Sequence, residues 1–176
     1  MRRILTILPI VAFAALAGGL ALGLGTQPDR LPSALIDQPV PVFGLPPLGA
    51  KPGLAQTDLG GRVILVNFFA SWCAPCRLEQ PALAQLAASG RVPVYGIDYK
   101  DKPEDALRWL TSLGDPYGRI GIDRDGRVAI DWGVYGVPET YLIDRAGRVR
   151  YRYAGPVTAQ ILTDEILPRI AALERS

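Results

Sequence analysis

The only two thiols of the 176-residue chain, Cys73 and Cys76, stand two residues apart within "NFFASWCAPCRLEQP", Asn67 to Pro81. Such a pair can be half of a zinc site, a structural disulfide or a redox dithiol. Zinc wants four ligands, and the chain has no other cysteine and no histidine. A disulfide closing so short a loop removes little chain entropy and stabilises little. The absence of histidine also removes Cys–His and Ser–His nucleophile pairs and a C-x-x-C-H haem attachment site. The redox dithiol is the reading that fits. An apolar strand pattern precedes Cys73 and a helical pattern follows it. A helix N-terminus offers unpaired N–H groups and partial positive charge, which favour thiolate, and a free thiol near about 8.5 can fall to about 3.5–7.5 in that setting. Cys73 is then the expected nucleophile. Cys76, one turn further in, attacks the mixed disulfide and releases the partner. No metal or cofactor is called for, and a formal net charge of +2 is too mild to suggest nucleic acid.

The elements that would hold this pair alternate. "RVILVNFF", Arg62 to Phe69, is short, apolar and rich in β-branched and aromatic residues, as a central strand covered on both sides is. A helix is expected from about Cys73 to about Ala88, with Leu78, Ala82 and Leu86 on one face and Pro81 inside it as a kink. "VPVYGID", Val92 to Asp98, reads as a second buried strand. "DKPE", Asp101 to Glu104, reads as an N-cap, an early proline and a capping-box glutamate, before a helix carrying Leu107, Leu110 and Leu113. "ETYLID" and "RVRYRYAG" are strands joined by the turn Asp144 to Gly147. "TAQILTDEILPRIAAL" ends the chain as an amphipathic helix kinked at Pro168. The fold class is α/β, with a central mixed sheet flanked by helices. The near-identical "IDRDGRV" (Ile122 to Val128) and "IDRAGRV" (Ile143 to Val149) are two copies only and read as shared turn chemistry, not a repeat array.

Residues 1–25 are expected to be a signal-anchor helix. Arg2 and Arg3 precede a run that is uncharged from Ile4 to Gly25, long enough for an apolar layer of about 30 Å. The paired arginines stay inside and the remainder is exported. A signal peptide cleaved near Ala15 to Ala17 is the competing reading, and it exports the domain too. Residues 26–36 form a proline-rich linker, and 37–176 the folded domain.

The strand, "WCAPC" and helix together resemble the thioredoxin superfamily. "WCAPCRLEQP", "GIDYKD", "GVYGVPETYLID" and the following "YRYAGP" resemble, within it, the DsbE/CcmG family. Those are membrane-anchored thiol:disulfide proteins of bacterial cytochrome c maturation, and the likeness spans most of the chain.

The resemblance implies a thioredoxin-like fold and a reductant, anchored in the bacterial inner membrane with its catalytic domain in the periplasm. Its partners would be apocytochrome c or a maturation protein that handles its cysteines. Its electrons would come from a membrane donor resembling DsbD or CcdA. The resemblance also implies a cis peptide between Val137 and Pro138, facing the cysteines and leaving the Val137 backbone free to pair with an extended segment. Trp72 would shape the rim that partners touch, whereas Trp109 and Trp132 read as core. Thioredoxin-like domains often bury an aspartate where this chain has Asn67. Glu79 and Glu139 are the candidates to replace it and to raise the thiol pKa; the alternative is that both are surface charges. The other functional readings are an exported TlpA- or ResA-like reductase, a redoxin-type thiol peroxidase and a non-catalytic binding module.

Overall fold

The computed structural model describes residues 12–13, 15–20 and 34–175. The chain divides into two compact units, Met1–Leu31 and Pro32–Ser176. Of the expected anchor, residues 12–13 and 15–20 are helical and exposed, and the remainder lies outside the described residues, as does most of the linker. Among the described residues, no helix is long and apolar enough to cross a membrane.

The second unit is built on β3 (Ile64–Phe69), whose six residues are all buried. Side chains alternate across a strand, so Leu65 and Phe69 enter one core while Ile64, Val66 and Phe68 enter the other. Each large apolar side chain so buried stabilises the fold by about 1.5–3 kcal/mol. β3 pairs in parallel with β4 (Val94–Tyr99), which pairs in parallel with β5 (Arg119–Asp123). On its other side β3 pairs antiparallel with β6 (Glu139–Ile143), which pairs antiparallel with β7 (Val149–Ala154). The order β5-β4-β3-β6-β7 is the expected mixed sheet.

One face carries α1 (Cys76–Ala88), α2 (Pro103–Leu113) and the C-terminal helix α4, made of Ala159–Ile161, Leu162–Ile166 and Leu167–Arg175. The other face is covered by the short α3 (Arg127–Asp131), Trp132 and the N-terminal arm. That arm includes the hairpin β1 (Gly44–Leu45) and β2 (Leu54–Ala55). Its carbonyls at Pro46 and Pro52 accept from Ile122 and Ile120 of β5. At the other edge, Asp37 donates to the Val149 carbonyl and Val149 donates back to Gln38.

Several expectations change in detail. α1 begins at Cys76, not Cys73, because the loop from Ala70 to Pro75 turns before the helix starts. Leu78 is exposed. Steps of four residues drift around a helix of 3.6 residues per turn, and the buried face centres on Glu79, Leu83 and Leu86. In α2 the buried stripe is Ala106, Trp109 and Leu110, leaving Leu107 and Leu113 exposed. Trp109 claims that face by stacking on Phe69, which stacks in turn on Tyr117. Gly96 makes room for the stack, since a Cβ there would lie 2.8 Å from Phe69 and 3.0 Å from Tyr117. Asp101 does not cap α2; Lys102 occupies that position without a side-chain cap. In α4 the five residues before Leu167 form a π-type stretch, so the irregularity lies in the turn preceding Pro168.

The twin heptapeptides do share turn chemistry and then diverge. Asp144 Oδ1 accepts from Ala146 and Arg148 in a hairpin turn. The Asp123 carboxylate accepts from Val128 and Ala129 and starts a helix.

Candidate active site

Cys73 and Cys76 form a disulfide at the head of α1, at the end of the sheet where β3 terminates. The loop that carries Cys73 turns tightly, its backbone N–H donating to the Ala70 carbonyl at 3.2 Å. The Cys76 N–H, first of the helix, points at Cys73 Sγ from 3.1 Å. That donor would stabilise negative charge on this sulfur when the pair is reduced. Cys76 is wholly buried, whereas Cys73 keeps 3% exposure, so any approach to the disulfide is to Cys73. Beside it the Val137–Pro138 peptide is cis, and the Val137 carbonyl oxygen lies 3.4 Å from Cys73 Sγ. Trp72 is exposed next to the pair, its indole N–H donating to the Lys100 carbonyl at 3.2 Å.

That last contact belongs to a clamp from the loop after β4. The Asp101 carboxylate accepts from the Ser71 N–H at 2.5 Å and from the Lys102 N–H at 2.7 Å. The clamp explains why the expected N-cap is absent: Asp101 turns toward the cysteine loop instead of its own helix.

Beneath the cysteines Asn67 is a buried and fully satisfied amide. Its Nδ2 donates to Glu79 Oε1 at 3.0 Å and to Thr140 Oγ1 at 3.1 Å, and its Oδ1 accepts from the Tyr117 hydroxyl at 2.6 Å. Glu79, three residues after Cys76 on the same helix, is wholly buried. Its second oxygen accepts from the Val157 N–H at 3.2 Å. Desolvation outweighs these two donors and pushes its carboxyl up to about 8. Burial pushes the Tyr117 phenol up as well, with the Glu79 charge second.

Glu139, directly after Pro138, is buried on the opposite face. Both oxygens are held by Arg152 at 2.7 Å, and they also accept from the Tyr135 N–H and the Tyr141 hydroxyl at 2.9 Å. Neither glutamate is a surface charge.

Cys73, Cys76, Trp72, Val137 and Pro138 are thus brought together at one end of the sheet. Glu79 lies below them in the core, and Glu139 follows Pro138 into the other core. Sequence reasoning missed Arg152, Asp101 and Asp98. The alternation of "RVRYRYAG" offered a cue for Arg152, since it sets three arginines on one face and two tyrosines on the other. Asp98, buried at the end of β4, has its carboxyl pushed up to about 8, by burial first and then by Asp101. Among the described residues, no cluster of three or more candidate ligands could hold a metal.

Residues 36–152 match the model of the AhpC/TSA family. The chain is 41% identical over 173 residues to the thiol:disulfide interchange protein HelX of Rhodobacter capsulatus, covering 97% of this chain and 98% of that one. It is 47% identical over 167 residues to a DsbE homolog of Paracoccus denitrificans, covering 93% and 92%. With DsbE of Escherichia coli it shares 41% over 175 residues, covering 96% and 94%. Among solved structures, a secreted thiol-disulfide isomerase from Corynebacterium glutamicum superposes with a TM-score of 0.65 at 26% identity, covering 82% of this chain and 95% of that one.

Proposed function

We infer the function from one premise: the chain belongs to the DsbE family of thiol:disulfide interchange proteins, thioredoxin-like oxidoreductases within the AhpC/TSA group. Its role in the cell is a reductant for cytochrome c maturation. It keeps the cysteines of apocytochrome c, or of a protein that handles them, reduced so that haem can attach. The observation that carries the exchange chemistry is the Cys76 N–H aimed at Sγ of Cys73, the one residue of the pair with any exposure.

In the reduced protein the Cys73 thiolate attacks a substrate disulfide. One S–S bond breaks, a mixed disulfide forms, and a substrate thiolate leaves. Cys76 then loses its proton and attacks Cys73 Sγ, releasing the second substrate thiolate and regenerating the disulfide described above. Two electrons and two protons from a membrane donor resembling DsbD or CcdA restore the dithiol. Glu79, on the helical face of Cys76 and with its carboxyl pushed up to about 8, takes the Cys76 proton through its ionised fraction. An extended substrate segment pairs with the Val137 backbone beside Cys73. Residues 1–25 anchor the protein in the inner membrane and place the domain on the periplasmic side. A peroxidase reading needs a lone activated cysteine, and both thiols here are committed to one pair.

A Cys76→Ser protein expressed in its own cell should accumulate a mixed disulfide through Cys73, resolved by mass spectrometry. Capture of an apocytochrome c or a maturation thiol protein supports the specialised role. A broad set of unrelated exported clients would assign the chain to general TlpA- or ResA-like reduction. Cys73→Ser should trap nothing.

A further inference from the structure

Asp98 ends in the core with its side chain wholly buried, and neither of its oxygens meets an N–H or O–H donor among the described residues. An ionised carboxylate in that position would be strongly unfavourable. The polar group within reach is another carboxyl, that of Asp101. Two carboxylates are acceptors only, so a hydrogen bond between them exists only when one carries a proton. The two environments decide which one. Asp101 already accepts two backbone N–H groups, from Ser71 and Lys102, and keeps 8% exposure, so it is the ionised partner. Asp98 accepts from nothing and is the protonated one.

We propose that Asp98 holds a proton at neutral pH, donates it to Asp101, and so fixes the Asp101 carboxylate against the Ser71 amide as a positioning residue for the loop that carries Cys73. Ser71 and Trp72, the two residues before Cys73, are both tied to the segment from Lys100 to Asp101. Holding Asp101 in place therefore holds the nucleophile's loop.

The titratable groups whose fields meet at Asp98 are Asp101, from the loop after its own strand, and the Tyr117 phenol, from the segment between α2 and β5. Glu79 acts on the same phenol from α1. The nearest lysine in sequence, Lys100, lies over the Tyr99 ring at 5.2 Å. Burial and the Asp101 charge hold the Asp98 proton up to about pH 8. Above that, two adjacent carboxylates repel and Asp101 loses its grip on Ser71.

The oxidised full-length protein, in detergent micelles, is titrated by NMR from about pH 6 to about pH 10. The Asp98 carboxyl carbon should titrate near 8, and the Ser71 amide resonance should move with the same midpoint. In Asp98→Asn the side-chain amide replaces the proton as donor, so the Ser71 amide should stay fixed across the range. Exchange of the reduced parent with a peptide disulfide, corrected for thiolate fraction, should fall several-fold above the midpoint. Asp98→Asn should match the parent at neutral pH and lose that fall. An Asp98 carboxyl titrating in the ordinary range, or a Ser71 amide moving alike in both proteins, overturns the proposal. The parent titration decides the matter even if the variant does not fold. Because it reads the loop and not a client, its failure is separate from any failure of the cytochrome c assignment.

Discussion

Glu79 and Glu139 are the same residue at nearly the same burial, on opposite faces of one sheet, and they are chemically unlike. Among the described residues Glu79 meets an amide N–H, a backbone N–H and no cation, and its carboxyl is pushed up to about 8. Glu139 is desolvated together with Arg152, which grips it with two bonds of 2.7 Å, and the arginine's own pKa is raised by that bond. Burial alone therefore does not make a proton carrier. A carboxyl buried without a cation exchanges protons near neutrality; one buried with a cation is a fixed part of the scaffold. On this comparison Glu79 serves the thiols, and Glu139 braces the turn from Tyr135 to Pro138 that presents the Val137 carbonyl to Cys73.

The largest test removes the cation. Arg152→Leu leaves Glu139 charged and unpaired in the core, which should cost about 3–5 kcal/mol in a denaturant titration at neutral pH. A loss below about 1 kcal/mol would make the two glutamates equivalent after all.

Next is the pH dependence of stability. Glu79 gains its proton on folding, so its contribution is complete below its ordinary value of 4.5 and is lost as pH rises through about 8. Between about pH 7 and about pH 9 the parent should lose about 1 kcal/mol that Glu79→Gln keeps.

The redox effect is smaller in energy. Replacing both glutamates with Gln should favour the Cys73 thiolate and make the disulfide easier to reduce. A tenfold change in thiol acidity corresponds to about 1.4 kcal/mol, or about 30 mV for a two-electron couple. A glutathione titration should place the double variant tens of millivolts toward a more oxidising couple. Of the single variants, Glu79→Gln should carry the larger change, and it should grow as pH rises through about 8, where the Glu79 charge appears. An unshifted potential in the double variant would remove both acids from thiol tuning.

The smallest expected effect is at Tyr117→Phe. It deletes the hydroxyl that locks the Asn67 amide toward Glu79, and should cost about 1 kcal/mol and move the Glu79 titration measurably.

Much of this was legible in the chain itself. β3 was visible because a strand buried on both faces must be apolar throughout. The hairpin turn was visible because Asp144 and Gly147 are what its backbone requires, Gly147 having φ +74°. The thiol pair and Pro138 carried their own signals, the latter through family likeness. What escaped depends on distant partners. Asp101 looks like a cap until the loop from Ala70 to Pro75 folds over it. Leu78 looks like core until Glu79 takes the buried face. Nothing local tells a glutamate that will meet an arginine across a hairpin from one that will meet an asparagine on a neighbouring strand. "IDRDGRV" and "IDRAGRV" show the same limit, since nearly one sequence leads into a helix in one place and a strand in the other.

The N-terminal arm has a consequence for solubility. A sheet's outer strands expose rows of unpaired backbone groups that can recruit other chains. Here one segment meets both rows: residues 37 and 38 pair with the start of β7, and residues 46 and 52 with β5. The residues that face β5 are prolines, which accept from Ile120 and Ile122 but have no N–H to pass the pattern outward. The arm is thus a chemical stop to sheet growth. A protein trimmed past residue 52 would keep its cysteines while uncovering both rims, and should reveal that by forming β-rich aggregates.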